Sequence, residues 1–313
     1  NYKVRFANDI ALEIFGKHKF FLGEKIAVKQ LQSINKLLKK TKQNLSAEVE
    51  MSIKEKGSDK NLLLSATTMP STNEYILVIN DISSLRKLEN LRKNLLTDIS
   101  HEIKTPVSVI RAGSETLNSG ALDDKDIAMK FTKSIQDNAE RLSEMIEDLL
   151  ELEKIEFSGL VPNKKRMNVL QQTNIIIDSL QSLMFEKNIR LNNTISSEHV
   201  INTDKDSFRT ILSNLIANAI KYSPDGSTIT LKSSISETDI TLEIADDGYG
   251  IEKQNLKRIF DRFYRTDKAR AHTKGTGLGL SLVKQLTNRL GGNVSVESKI
   301  NKGSNFFVRL PQK

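Results

Sequence analysis

Ser100-His101-Glu102-Ile103-Lys104-Thr105-Pro106 sets an imidazole beside a carboxylate, with a hydroxyl one helical turn further on and a proline closing the run. An exposed imidazole in that setting is a nucleophile: one ring nitrogen attacks while the carboxylate takes or orients the proton on the other. Thr105 shares the helix face of His101. Pro106 removes a backbone donor, frees the carbonyl of Glu102 and predicts a kink just after the histidine. A lone exposed histidine would be surface decoration; seven specified residues argue against that here. A second constellation, Asn214, Asn218, Lys221 and Tyr222, has spacings of four, three and one, which place all four on one helix face. Carboxamide oxygens are hard ligands for Mg²⁺, and an ammonium offers a point charge to phosphate. A merely solvated face would accept Glu or Gln equally. Asp246 ends a predicted strand, where its carboxylate can accept the exocyclic amine of adenine, and Gly248 and Gly250 let the backbone approach the ring. Gly275, Gly277 and Gly279 lead into a helix beginning near Leu278, whose first amides are a ready anion site. Between these motifs Thr266–Thr276 is polar and basic and reads as a lid.

The whole chain narrows the alternatives. Its 313 residues suggest two or three domains, and 38% hydrophobic with 27% charged residues suits ordinary globular cores. The absence of cysteine removes disulfides, Cys-ligated zinc and thiol nucleophiles. Four histidines without an HExxH-type cluster argue against a structural metal site. His18 is expected on the surface, and His199 and His272 are expected to be incidental. No run of 18 apolar residues and no signal peptide are present, and the opening Asn1 suggests a fragment of a longer product. The net charge of +8 is uneven: +4 over 1–85, −4 over 86–157 and +8 over 158–313. A basic chain invites a nucleic-acid reading. The surplus, however, is densest in 253–274, between the two glycine motifs, which suits a small polyphosphate better than a duplex.

Those residues need elements to position them. Residues 1–82 read as a small mixed domain. Helical spacing is expected over Asn8–Phe15 and 28–43, then strands at Ala47–Ile53, Leu62–Thr68 and Tyr75–Asn80 in an antiparallel sheet. Apolar residues then fall at Ile82, Leu85, Leu88, Leu91, Leu95, Ile99, Ile103, Val107 and Ile110, a mean step near the 3.5 of a coiled-coil seam. His101 lies off that seam. A break at Asn118–Asp124, with Gly120 as C-terminal cap and Asp123 or Asp124 as N-cap, precedes a second helix to about Glu156. That helix carries Ile127, Phe131, Ile135, Leu142, Met145, Ile146, Leu149 and Leu152. One hairpin cannot bury both stripes, which implies dimerisation into a four-helix bundle; the alternative packs the stripes on other domains of the same chain. Phe157–Asn168, with Gly159 and Pro162, is expected as a linker. The remainder alternates helices (Leu170–Asn188, Asp206–Tyr222, about Gln254–Phe260, Leu278–Leu290) with strands (Arg190–Ile195, Thr228–Ser234, Asp239–Ala245, Gly292–Ser298, Ser304–Leu310). This is a two-layer α/β pattern.

Five motifs in order resemble those of sensor histidine kinases. Leu95–Pro106 resembles the phospho-acceptor box, and Asp206 with Asn214–Tyr222 resembles the asparagine box. Asp246–Gly250 resembles the first glycine box, Ile259–Arg265 with Phe260 and Phe263 the phenylalanine box, and Gly275–Leu280 the second glycine box. The resemblance covers 82–313. Leu95 and Val107 depart from the usual Phe and Leu, both apolar exchanges. The join Leu88-Glu89-x-x-Arg92 is similar to that of PhoR-like and WalK-like kinases of Gram-positive bacteria. Phe6-Ala7-Asn8, Phe21-Leu22-Gly23 and Ile79-Asn80-Asp81-Ile82 resemble the marks of a PAS domain.

The resemblance implies a multidomain α+β chain. A PAS-like sensor domain (1–82) would precede a linker and helical hairpin forming a dimeric four-helix bundle (83–157). An ATP-binding α/β sandwich of the histidine kinase, gyrase and chaperone type would follow (158–313). It implies ATP and Mg²⁺ as cofactors, with Asn218 as metal ligand. Asn214, Lys221 and Tyr222 would line the phosphate and ribose region, and Arg265 would meet the γ-phosphate. Related ATP hydrolases carry a Glu four residues before the metal ligand to activate water; here that position is Asn214, so ATP can await His101. The expected activity is transfer of the γ-phosphoryl group to His101, with Glu102 as acid/base, and then to an aspartate of a response regulator. Thr105 is expected to position water when the same face dephosphorylates the regulator. Rival readings are a protein acting mainly as that phosphatase and a non-enzymatic ATP-binding scaffold. A homodimer in the cytoplasmic part of a membrane-anchored sensor is expected, with no nucleic acid and with membrane contact only through an anchor absent from the fragment.

Overall fold

A computed structural model describes residues 4–11, 31–55, 58–69, 71–72, 74–157, 162–266 and 275–312. His18, Phe21–Gly23, Gly159, His272 and most of the expected lid lie outside the described residues. The chain divides into two units, 1–99 and 100–313.

In the first unit, α1 (Leu31–Asn44) precedes β1 (Ser46–Glu55), β2 (Ser58–Met69) and β3 (Glu74–Asp81), an antiparallel sheet in the order β1-β2-β3. Alternation along β2 turns Leu62, Leu64 and Ala66 to one face, where they form a core with Ile34, Leu37 and Leu38 of α1. The register aligns Val49, Leu64 and Ile79 across that face. On the next helix, α2 (Ser83–Asn118), Arg86 Nε donates to Glu50 Oε2 at 3.0 Å. The division between the units falls within α2.

The second unit begins with the hairpin. The helix continues through the buried Pro106 to Asn118. Gly120 turns the chain at φ 112°, a short 3₁₀ turn spans Ala121–Asp123, and α3 runs over Lys125–Phe157. Of the two N-cap candidates, Asp124 takes the role: its Oδ1 accepts from the amides of Asp126 (3.0 Å) and Ile127 (3.1 Å). Met145 and Leu152 are buried, whereas Val107, Val109, Ile127, Met129, Ile146 and Leu150 are exposed, so much of the apolar stripe is uncovered in one chain.

Beyond the hairpin come β4 (Lys164–Asn168), α4 (Val169–Ser179), α5 (Gln181–Glu186), β5 (Arg190–Asn193), β6 (Val200–Asp204) and α6 (Lys205–Tyr222). They are followed by β7 (Thr228–Ile235), β8 (Asp239–Asp246), α7 (Gly279–Arg289), β9 (Asn293–Ser298) and β10 (Ser304–Pro311). Five strands form a sheet in the order β5-β7-β8-β10-β9; only the β5–β7 pair is parallel. Its inner residues Ile229, Leu231, Ile240, Leu242, Ile244, Phe306 and Val308 are buried, as are Phe208, Ile211, Leu215 and Ile216 of α6 and Leu282, Val283 and Leu286 of α7.

Three expectations need correction. The linker ends in a strand: β4 pairs antiparallel with β6, and neither was expected. Lys164-Lys165-Arg166-Met167-Asn168 carries almost no apolar alternation, so periodicity passes over it. The helix expected over Leu170–Asn188 is interrupted at Leu180 (φ −101°, ψ 3°), giving α4 and α5. Gln254–Phe260 is a run of turns rather than a helix, because its amides bond mainly three residues back (Arg258 to Asn255, Asp261 to Arg258). Among the described residues no helix is long and apolar enough to cross a membrane.

Candidate functional site

The apolar face of α6 is spent on the core, which leaves its other face to the site. Asp204 caps that helix through Ser207 N (2.9 Å), and Lys187 Nζ closes its far end by donating to the carbonyls of Ile220 (3.1 Å), Lys221 (3.0 Å) and Ser223 (2.9 Å). An ammonium at a helix C-terminus is favoured by the dipole, and here it fixes the turn that carries Lys221 and Tyr222. Asn214, Asn218, Lys221 and Tyr222 line one wall of a cleft of about 1480 Å³. Asn214 Nδ2 donates to Thr210 O (2.9 Å), which turns its Oδ1 toward Gly279. Asn218 is half-buried and bonds to no described residue.

Asp246 ends β8 deep in the cleft. Its Oδ1 accepts from Gly248 N (2.8 Å) and Ser304 N (3.2 Å), leaving Oδ2 for a ligand. Burial pushes the carboxyl up to about 6, against the pull of those two amides. A side chain at Gly248 would place its Cβ 2.5 Å from Asp246 Oδ1 and 2.6 Å from Tyr222 O, so only glycine lets the loop close over the carboxylate. At the other end of the cleft, burial first and then the Arg265 charge lower the Lys221 ammonium to about 8. A Cβ at Gly275 would stand 2.3 Å from Lys221 Nζ, so this loop closes directly onto the ammonium. Arg265 Nη1 donates to Gly275 O (2.8 Å), and Gly275, Gly277 and Gly279 lead into α7 along the cleft wall. One end therefore offers an acceptor for an amine, the other two cations and a helix N-terminus for an anion.

Some expected site residues are not on the cleft wall. Gly248, Phe260, Phe263 and Leu278 do not line the cleft: Phe263 and Leu278 are buried, and Phe260 is half-buried. In that stretch Asn255, Arg258, Ile259, Tyr264 and Arg265 line the cleft, with the Arg258 guanidinium 4.3 Å from the Tyr264 ring centroid and the Tyr264 phenol donating to Asn255 Oδ1 at 2.8 Å. His101 and Thr105 are exposed on α2, outside the cleft. Glu102 is half-buried and pairs with Arg141 of α3 at 3.3 Å.

Sequence reasoning missed a further wall. Glu144, Glu147 and Asp148 of α3 line the same cleft. Thr276, between two of the loop glycines, donates to Asp148 Oδ2 at 2.6 Å, and Thr210 donates to Glu151 Oε1 at 2.8 Å. Burial raises the Asp148 carboxyl, partly offset by that threonine and reinforced by Glu151, Glu144 and Glu147. These partners are 128 and 59 residues apart in the chain, and no local pattern announces such a contact.

The donor set fits a magnesium ion bound together with a phosphate chain. The half-buried Asn218 amide has no described partner and an oxygen to give, and among the described residues no cluster of three His, Cys, Asp or Glu offers a rival metal site.

Comparison with known proteins matches residues 203–313 to the family described as Histidine kinase-, DNA gyrase B-, and HSP90-like ATPase. Residues 91–158 match the His Kinase A (phospho-acceptor) domain. The chain is 32% identical over 241 residues to the Sensor histidine kinase WalK of Bacillus subtilis (strain 168), covering 76% of this chain and 39% of that one. It is 29% identical over 242 residues to the Sensor protein SrrB of Staphylococcus aureus (strain NCTC 8325 / PS 47), covering 76% and 41%. The chain thus spans about two fifths of the length of these curated relatives. Its fold is similar to that of the histidine kinase ThkA solved in complex with the response regulator protein TrrA. There the TM-score is 0.58 and the identity 20%, over 99% of this chain and 93% of that one.

Proposed function

Since this chain belongs to the two-component sensor histidine kinases, we propose that it transfers the γ-phosphoryl group of ATP to His101 and from there to an aspartate of a response regulator. The observation that supports this best is the pairing of the amine-accepting Asp246 and the cationic end of one cleft with an exposed histidine in the hairpin of the same unit. Adenine would be recognised at Asp246 Oδ2, and the triphosphate at Lys221, Arg265 and the amides opening α7. Asn218, with Asn214 beside it, would hold Mg²⁺, which when bound neutralises phosphate charge. Asn214 also stands where a water-activating carboxylate would be needed for hydrolysis, and a carboxamide cannot act as that base. His101 then attacks through one ring nitrogen, and Glu102 takes the proton from the other. The exposed Val107, Ile127, Ile146 and Leu150 support a second copy completing a four-helix bundle. In the same reading residues 1–82 serve as a PAS-like sensor and the chain is the cytoplasmic part of a membrane-anchored protein. Adding a purified receiver domain to the labelled protein should move the label from histidine to aspartate within minutes; label that stays on the kinase would refute the transfer.

Lys221 makes affinity for ATP fall with pH. In the free protein the ammonium loses its proton near pH 8, while a bound triphosphate holds it charged. Affinity is therefore full below pH 8 and declines above it, by about tenfold at pH 9, with uptake of one proton on binding. Calorimetry at pH 7 and 9 in buffers of different ionisation enthalpy should show this, and Lys221→Arg should flatten the profile. A flat wild-type profile would remove Lys221 from the phosphate site.

Thr105 separates two activities. It shares an exposed face with His101, roughly 5–6 Å away between Cβ atoms for a pair one turn apart. Its hydroxyl can hold water near the phosphoryl group of a docked regulator, and autophosphorylation needs no hydroxyl there. Thr105→Ala should keep much of the labelling rate while regulator dephosphorylation drops about 10- to 100-fold. Parallel losses in both assays would mean that the residue shapes the helix before Pro106 instead.

A further inference from the structure

On α3, Arg141, Glu144 and Asp148 follow at steps of three and four and so share one helix face. Glu144 and Asp148 line the cleft. Arg141 is the next position along that stripe, about 4.5 Å further along the axis at 1.5 Å per residue. From there its Nη2 crosses to α2 and meets Oε2 of Glu102, the neighbour of His101, at 3.3 Å. The two side chains are 25% and 28% exposed, far less open than an ordinary surface ion pair. That contact uses one of five N–H donors on the guanidinium. Nε is buried and has no hydrogen-bond partner among the described residues, a state that costs free energy until an acceptor arrives. Arg141 also lies close enough to Lys221 to repel its ammonium, against the opposite pull of Glu144 and Asp148.

We propose that Arg141 is a further catalytic residue of the phosphoryl step: Glu102 anchors its guanidinium, and Nε with the remaining N–H groups receives the γ-phosphoryl oxygens as they pass from the cleft to His101. This rests on the reading of the site as a histidine kinase. A His101 ring nitrogen forms the new bond to the γ-phosphorus, the bond to the bridging oxygen breaks with its electron pair leaving on ADP, and the other ring proton passes to Glu102. The arginine exchanges no proton. Its planar fork spans two oxygens of a phosphoryl group in a way that lysine cannot, and its charge is aimed where the moving group must cross.

The test uses the full 313-residue chain, γ-labelled ATP with Mg²⁺ for labelling, a non-hydrolysable ATP analogue for affinity, and ADP for back-transfer from the phosphorylated protein. Arg141→Ala should slow labelling about 100-fold, as loss of one charged transition-state donor does, and should slow back-transfer by the same factor. Analogue affinity should stay within threefold and the melting midpoint should hold. Arg141→Lys should fall between. Arg141→Gln, which keeps a donor for Glu102, gives the comparison if the alanine variant unfolds. Labelling at the wild-type rate, a loss explained by analogue affinity, or a forward loss without a matching backward one would overturn the role. A wild type that takes no label overturns the functional reading and this inference together. A labelled wild type beside an unimpaired Arg141→Ala overturns this inference alone.

Discussion

His101→Ala should take up no phosphate from ATP, a loss of at least about a thousandfold, while its affinity for ATP stays within about twofold of the wild type. Removing a nucleophile removes the covalent step itself and leaves only background chemistry. The nucleotide should not notice, because His101 is exposed on α2 and contributes nothing to the cleft wall. Helix propensity favours the exchange, so α2 should persist. Filter-bound label and calorimetric affinity, measured on one preparation, separate the two effects. Label retained at half the wild-type level would place the acceptor elsewhere, and an affinity lost together with the label would mean that the histidine belongs to the cleft.

The second large effect concerns Asp246, where binding and stability should move in opposite directions. Burial holds its carboxyl at about 6 against an ordinary 3.8. A carboxyl raised on folding binds more protons in the native state than in the unfolded one across that interval. Stability is therefore lost as pH rises from about 4 to about 6, and above it the ionised group costs on the order of 3 kcal/mol. Asp246→Asn removes the charge and keeps an oxygen for Gly248 N and Ser304 N, so the nucleotide-free protein should melt several degrees higher at pH 7.5 and show a flatter dependence between pH 4 and 6. The same exchange replaces Oδ2 with an amide that donates toward the adenine amine, donor against donor. ATP affinity should fall about 10- to 100-fold, the worth of a charge-assisted hydrogen bond together with a mismatched partner. A variant that binds ATP normally would move adenine to another part of the cleft, and one that melts lower would mean that the carboxylate supports the fold.

Much of this architecture could be read along the chain. The 3.5-residue seam from Ile82 to Ile110 and the Asp124 cap are local signals, and both helices of the hairpin follow from them. Asn214, Asn218, Lys221 and Tyr222 reach one wall because a helix puts fixed spacings on one face. Other features were not legible, for reasons of the same kind. β4 is too polar to announce itself, since its pairing with β6 depends on a strand more than 30 residues away. The run 254–260 has helical spacing yet turns, because bonds three residues back satisfy its amides. The acidic wall of Glu144, Glu147 and Asp148 and the Arg141–Glu102 pair belong to helix faces whose outward residues look like solvated charge until another element is packed against them. Phe260 and Phe263 announce a motif, but the cleft takes its lining from their neighbours Arg258, Ile259, Tyr264 and Arg265. Periodicity marks which element a residue rides on; it does not say which distant partner shares the space.

The destination of the γ-phosphoryl group gives the most direct test of His101 as the acceptor. Digestion with trypsin after incubation with γ-labelled ATP and Mg²⁺ should put the label on the peptide Asn94–Lys104, whose one histidine is His101 and whose hydroxyls are Thr97 and Ser100. A phosphoryl group on imidazole nitrogen survives alkali and is lost in acid, whereas an ester on threonine or serine survives acid. The predicted result is alkali-stable, acid-labile label confined to that peptide. Acid-stable label, or label carried by a peptide that lacks His101, would contradict it.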